Sequence, residues 1–203
     1  MSLLGGYSLA DFVPYSLETW HALLAQYNAA LWPAHPVVFV ASLGLLWQVA
    51  RPPENETPGA ARLAAAALAL AWAVIGWAFM VERFMPLNWV AGYFGIAFLT
   101  QAMLLALFGA VRLRLRPGDS PRSLRLAGAG VLAYAMIVHP LIEPLLSGRP
   151  WAASELFGIG PTPTAIGTIG WAVTRSGPVG WLLLPVPVLW LAFIGLSRLG
   201  IVG

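Results

Sequence analysis

Five predominantly apolar stretches, residues 29–50, 63–81, 89–111, 126–146 and 178–196, leave this chain few ways to fold. A bilayer core about 30 Å thick takes roughly 20 residues of helix, and each stretch is about that long. Helix is expected because hydrocarbon offers no partner to an unpaired backbone N–H or C=O. With 59% hydrophobic and 9% charged residues, the 203-residue chain has too little polar surface for a soluble domain. The expected class is all-α: a polytopic membrane helix bundle of about six transmembrane segments, forming a single integral membrane domain over residues 1–203.

The basic residues orient it. All eleven are arginines, and eight fall in segments that would share one membrane face: Arg51, Arg62, Arg112, Arg114, Arg116, Arg122, Arg125 and Arg175. The opposite segments carry Arg83, Arg149, Arg198, five of the eight acids and all three histidines. By the positive-inside rule the first face is cytoplasmic, which puts both termini in the periplasm of an inner-membrane protein. A net charge of +3 in this arrangement meets lipid headgroups, so the bilayer is the expected partner and nucleic acid is not. The absence of cysteine excludes thiolate metal sites, disulfides and cysteine nucleophiles.

The fifth crossing, residues 155–174, is the irregular one. Pro161 and Pro163 interrupt ordinary helix through Gly158–Thr162, while Thr162 and Pro163 suit the first positions of a new helix. A helix from Pro163 to Thr174 spans about 18 Å at 1.5 Å per residue, too short for the core. This predicts a broken, half-length segment whose N-terminal N–H groups, beside Thr162 and Thr164, face an anion or carbonyl oxygen. A proline-kinked but continuous helix from Ser154 is the competing reading. Ahead of the first span, Ser16 can cap a helix over residues 16–28, expected to lie in the interface. Tyr7, Phe12, Tyr15, Trp20, Tyr27 and Trp32 would then form an aromatic belt.

His139 and Glu143 stand four apart, on one helical face and at a workable metal-ligand spacing. His35 enters the first span at a similar depth. His35, His139 and Glu143 are the candidate metal ligands, for a divalent ion if any cofactor is bound. Ionisable groups at membrane depth are costly and serve function by default. Glu82, Gln101, Glu155, Thr162 and Thr164 complete the expected outward-facing pocket, although for Gln101 an interhelical hydrogen bond competes with a ligand contact. Packing histidines are the bland alternative, and a single haem b between His35 and His139 stands behind both.

Ala10–Pro33 (ADFVPYSLETWHALLAQYNAALWP) and Phe157–Val173 (FGIGPTPTAIGTIGWAV) resemble two motifs of a bacterial multi-pass membrane protein family classed as a domain of unknown function. The first reads DF...YN..LWP and the second FG...P.PT...G. The resemblance covers nearly the whole chain and implies an inner-membrane helical protein without assigning an activity. With no P-loop, no dinucleotide fingerprint and no lysine for an imine, the leading expectation is binding or transport of a small cation or polar solute. A non-catalytic accessory or structural subunit, packed against other membrane subunits or as a homo-oligomer, is the rival. An intramembrane enzyme with Glu143 or His139 as general base comes last, because no nucleophile is paired with them.

Overall fold

A computed structural model describes residues 15–112, 121–175 and 178–202. Helix α1 spans Leu17–Ala30, capped by Ser16, whose hydroxyl accepts the Thr19 N–H at 3.2 Å. It buries Trp20, Leu23, Leu24 and Tyr27, an i, i+3, i+4, i+7 stripe, against Phe79 and Phe84. The expected aromatic belt is therefore corrected at Trp20 and Tyr27, which are core residues; Trp32 is exposed, and Tyr7 and Phe12 lie outside the described residues. Burial wins because two large rings contribute more when packed on Phe79 and Phe84 than at a headgroup surface.

A short turn, Trp32–Ala34, leads into α2, His35–Ala50. Helix α3 is Pro58–Phe84, capped by the Thr57 hydroxyl on the Ala60 N–H, and α4 is Val90–Val111. Helix α5 is Arg122–Leu146. Helices α3 and α4 each end in widened turns, with Met85 N–H bonding Met80 O and Arg112 N–H bonding Leu107 O, five residues back. Helix α5 widens over Tyr134–Val138, just ahead of Pro140. That proline has no N–H and its ring would press on the Met136 carbonyl, and a widened turn relieves both. Then come α6, Pro161–Ala172, the short α7, Pro178–Leu182, and α8, Pro185–Val202.

Five helices are long and apolar enough to cross a membrane: Trp32–Ala50, Pro58–Phe84, Val90–Val111, Arg122–Leu146 and Val179–Ser197. Among the described residues there is no β-strand, so the chain is an all-α membrane helix bundle. The fifth segment is half-length, as expected, but its helix begins at Pro161 rather than Pro163. Both prolines fit there because the first turn's N–H groups have no intrahelical acceptor to lose.

Helix α6 is the axis of the bundle, with ten of its twelve residues buried. Gly128 of α5 lets it approach: a Cβ there would sit 2.5 Å from the Gly170 carbonyl oxygen. Two indoles reach in from either side, Trp72 Nε1 donating to Thr168 Oγ1 at 2.9 Å and Trp190 Nε1 to Thr162 Oγ1 at 3.4 Å. Asn28 bonds the 152–154 connection at one end, called here the α1 end, while Arg175 pairs with Glu56 at the other. The segment from Ser154 to Arg175 thus runs from one end of the bundle to the other.

Candidate functional site

From Ser154 to Gly160 the backbone is not helical, and several of its N–H groups bond within or near the segment. The Thr164 hydroxyl accepts the Gly158 N–H at 2.8 Å and donates to the Gly160 carbonyl at 2.6 Å. Gly158 sits at φ +83°, a left-handed conformation that disfavours a side chain. A Cβ at Gly158 would also meet Val38 at 2.6 Å. Irregular backbone at membrane depth persists only when it is enclosed by protein in this way.

The start of α6 is closed by a carboxylate of the same chain. Glu155 Oε2 accepts the Thr162 N–H at 2.8 Å. The expectation that this N–H serves an external anion is therefore corrected: it is occupied, because Gly160 allows the chain to fold the Glu155 side chain back over the helix end. Arg149 joins the same cluster, 2.5 Å from Glu143 and 3.6 Å from Glu155. All three side chains are buried or nearly so. An ion cluster out of water is costly to form and far costlier to break by halves.

At the opposite end Arg175 Nη1 donates to both oxygens of Glu56, at 2.8 and 2.9 Å. Gln48 Nε2 bonds the same carboxylate at 2.5 Å, and the guanidinium lies 4.6 Å from the Trp171 ring centroid. Neither end's partners were singled out in the sequence: Arg149, Glu56, Gln48 and the pairing of Arg175 are all missed. Arg149 did carry a signal, being an arginine that breaks the charge asymmetry between two acids, Glu143 and Glu155.

Between α1, the start of α2, α5 and the 151–156 strap lies a cavity of about 620 Å³. Its polar lining is Asn28, His35 and Ser154, and Trp32 and Trp151 flank it. His35 Nδ1 lies 3.0 Å from the Leu31 carbonyl and 3.2 Å from that of Trp32, so Nδ1 carries a proton and donates to them. Asn28 donates both amide hydrogens, to Ala152 O and Ser154 O at 2.8 Å each, which leaves its oxygen as an acceptor. The Ser154 hydroxyl is buried with no partner among the described residues.

Of the residues expected in the pocket, His35 alone lines this cavity. His139 is buried, its ring edge-on to Tyr134 at a centroid distance of 6.4 Å. Glu143 and Glu155 face Arg149. Glu82 is on the surface, accepting from Trp77 Nε1 and 3.5 Å from Arg83. Gln101 sits in the core and donates to the Leu183 carbonyl at 3.0 Å. Thr162 and Thr164 are enclosed around the start of α6. Among the described residues no three His, Asp or Glu side chains come together as a metal site, so His35, His139 and Glu143 do not form one. The third ligand is missing because Glu143 is directed at Arg149. Neither cavity that His35 lines among the described residues includes His139.

Residues 17–203 match a family of unknown function, DUF6064. The chain belongs to that family. No curated protein and no solved structure matches it. In this DUF6064 chain, the geometry around the fifth segment and the cavity beside it has to carry the functional argument.

Proposed function

We propose that this chain is an inner-membrane protein, its α1 end on the outer side, that binds a small polar solute in the cavity around His35 as a step in its transport. The arginine asymmetry supports the orientation. The observation that carries the binding reading is a mostly apolar cavity of about 620 Å³ with Asn28 and His35 in its wall. Small-molecule sites are concavities of this size, mostly apolar, with a few converging polar groups. A bare divalent ion draws less support, since a single histidine is the only nitrogen ligand at the cavity.

The chain has no cysteine, which makes the test direct. Ala29→Cys and Leu141→Cys place single thiols in the cavity wall. Both are expected to react with a membrane-impermeant thiol reagent in intact cells. Resistance of both, in folded protein that reacts once unfolded, would remove the outward-facing pocket.

The rival reading is an accessory subunit, and one observation favours it. Helix α2 buries only Ser42, Leu45 and Val49, while Val37, Phe39, Val40 and Trp47 are exposed. A span so little packed on its own bundle has room for a partner helix. Stoichiometric co-purification of another membrane subunit, with the Cys variants unreactive, would put this reading first.

A further inference from the structure

Helix α2 buries residues only from Ser42 onward: Ser42, Leu45 and Val49 are covered, and none from His35 to Ala41 is. Beside the uncovered stretch, between α2 and α3, lies a groove of about 270 Å³. Its floor is Phe157, Gly158 and Ile159, in the non-helical segment that precedes α6. It shares no lining residue with the His35 cavity and stands independently of the solute-binding reading.

Depth, lining and width together select the occupant. The α3 wall, from Ala67 to Val74, lies about 14 to 24 Å from Pro58 in a 27-residue span about 40 Å long. A hydrocarbon core about 30 Å thick covers that stretch whichever end of the helix is outside. Ser42 is the one polar side chain in the lining, and its hydroxyl donates to the Val38 carbonyl at 2.6 Å. The Gly158 and Ile159 N–H groups are taken by Thr164 Oγ1 and the Leu156 carbonyl, so the groove brings no donor to a polar ligand. From Leu31 to Leu45 it follows α2 for about 20 Å. Its 270 Å³ spread over that length is a passage only a few ångström across, whereas a helix with its side chains is at least about 10 Å wide. A partner helix can lie over the mouth but cannot enter. The recess exists because Ala34, Ala41, Ala67 and Ala71 stand where larger side chains would fill it.

We propose that this groove holds one acyl chain of a membrane lipid, seated between α2 and α3 against the backbone at Gly158. A polymethylene chain has the width of the passage and asks for no polar partner. It also restores the dispersion contacts that the lining of an empty groove forfeits. The chain completes the enclosure of residues 157–159, irregular backbone that hydrocarbon depth tolerates only when it is packed in.

The test places the full chain in vesicles of dioleoyl phosphatidylcholine containing a trace of the same lipid with a diazirine midway along one acyl chain. After photolysis, peptide mass spectrometry reads the label at Val38 and Ala71 in the groove and at Ile96 and Met103, exposed on α4. The expected result is several-fold heavier labelling at Val38 and Ala71. Ala41→Leu with Ala67→Leu, which fills the groove from two exposed positions, should remove that excess and leave Ile96 and Met103 unchanged. Labelling of the groove no heavier than that of α4, and unmoved by the filled variant, would show bulk lipid only and overturn the proposal. Unlabelled Val38 and Ala71 beside labelled α4 residues would overturn it too, in favour of a cover made of protein: a second copy if the chain runs as a dimer, a partner helix if another polypeptide co-purifies. Should the double variant fail to fold, Ala34→Leu, which narrows the groove at its α1 end, makes the same comparison.

Discussion

Glu155 Oε2 holds the Thr162 N–H at 2.8 Å, so the half-length helix in the middle of the bundle is capped by a carboxylate seven residues earlier in the chain. The same carboxylate faces Arg149. Replacing it removes a helix cap and part of a buried charge cluster together. Glu155→Ala is expected to destabilise the protein by about 3–5 kcal/mol, as for other broken buried ion pairs. Glu155→Gln keeps an acceptor for Thr162 and should cost less. Thermal unfolding in detergent, followed by near-ultraviolet circular dichroism, gives the order; a melting temperature for Glu155→Ala equal to the parent's would rule the cap out as a stabilising contact.

At the other end, Arg175→Ala leaves the Glu56 carboxylate buried with Gln48 as its remaining partner. A loss of about 3–5 kcal/mol is expected. The double change Glu56→Leu with Arg175→Met should recover most of it, since well-packed apolar pairs often replace buried ion pairs at little cost. A double-mutant cycle in denaturant reads the coupling, and additive losses would show that the two side chains act independently.

Gln101 satisfies a carbonyl that lies outside any helix. Leu183 sits in the turn between α7 and α8, and Gln101 Nε2 donates to its oxygen at 3.0 Å within the core. Gln101→Leu should therefore cost about 1–3 kcal/mol, the penalty for stranding a buried acceptor. A Gln101→Leu melting temperature equal to the parent's would remove this bond as a stabilising contact.

Close approach of α5 and α6 depends on glycine at both contact points. A Cβ at Gly128 would stand 2.5 Å from Gly170 O, and one at Gly170 would stand 2.7 Å from Gly128 O. Gly128→Ala and Gly170→Ala should each destabilise by about 1–3 kcal/mol through overpacking. Gly130→Ala, on the same helix as Gly128 but with open space around it, is the control and should be near neutral. A Gly128→Ala melting temperature no lower than that of Gly130→Ala would refute the steric account.

Much of the architecture was legible before any coordinates. The spans at 29–50, 63–81, 89–111, 126–146 and 178–196 overlap the five long apolar helices, with ends that differ by up to five residues at Pro58, because length and hydropathy are local properties. The half-length fifth segment was legible for the same reason: Pro161 and Pro163 restrict their own backbone wherever they are placed. The exact helix start was not, since whether a first-turn N–H needs a Thr162 cap or finds a Glu155 carboxylate depends on how Gly160 turns the chain. The candidate site was legible only at His35. Glu143 pairs with Arg149 and the Thr164 hydroxyl bonds Gly158 and Gly160, and partners of this kind are not visible in the spacing of the residues.

What the sequence determined by itself, then, was the class of the protein, its spans and the irregularity of one of them, all consequences of local composition and of proline's missing N–H. What tertiary structure decided was who pairs with whom. Arg175 reads as a lipid-facing charge until Glu56, 119 residues away along the chain, closes on it. Asn28 reads as a polar residue on a surface helix until Ala152 and Ser154 take its two donors and turn its oxygen toward another partner. Hydropathy sums over neighbours in sequence, whereas a hydrogen bond or ion pair needs two groups within about 3 Å in space, and only the packing of the helices around α6 sets those distances.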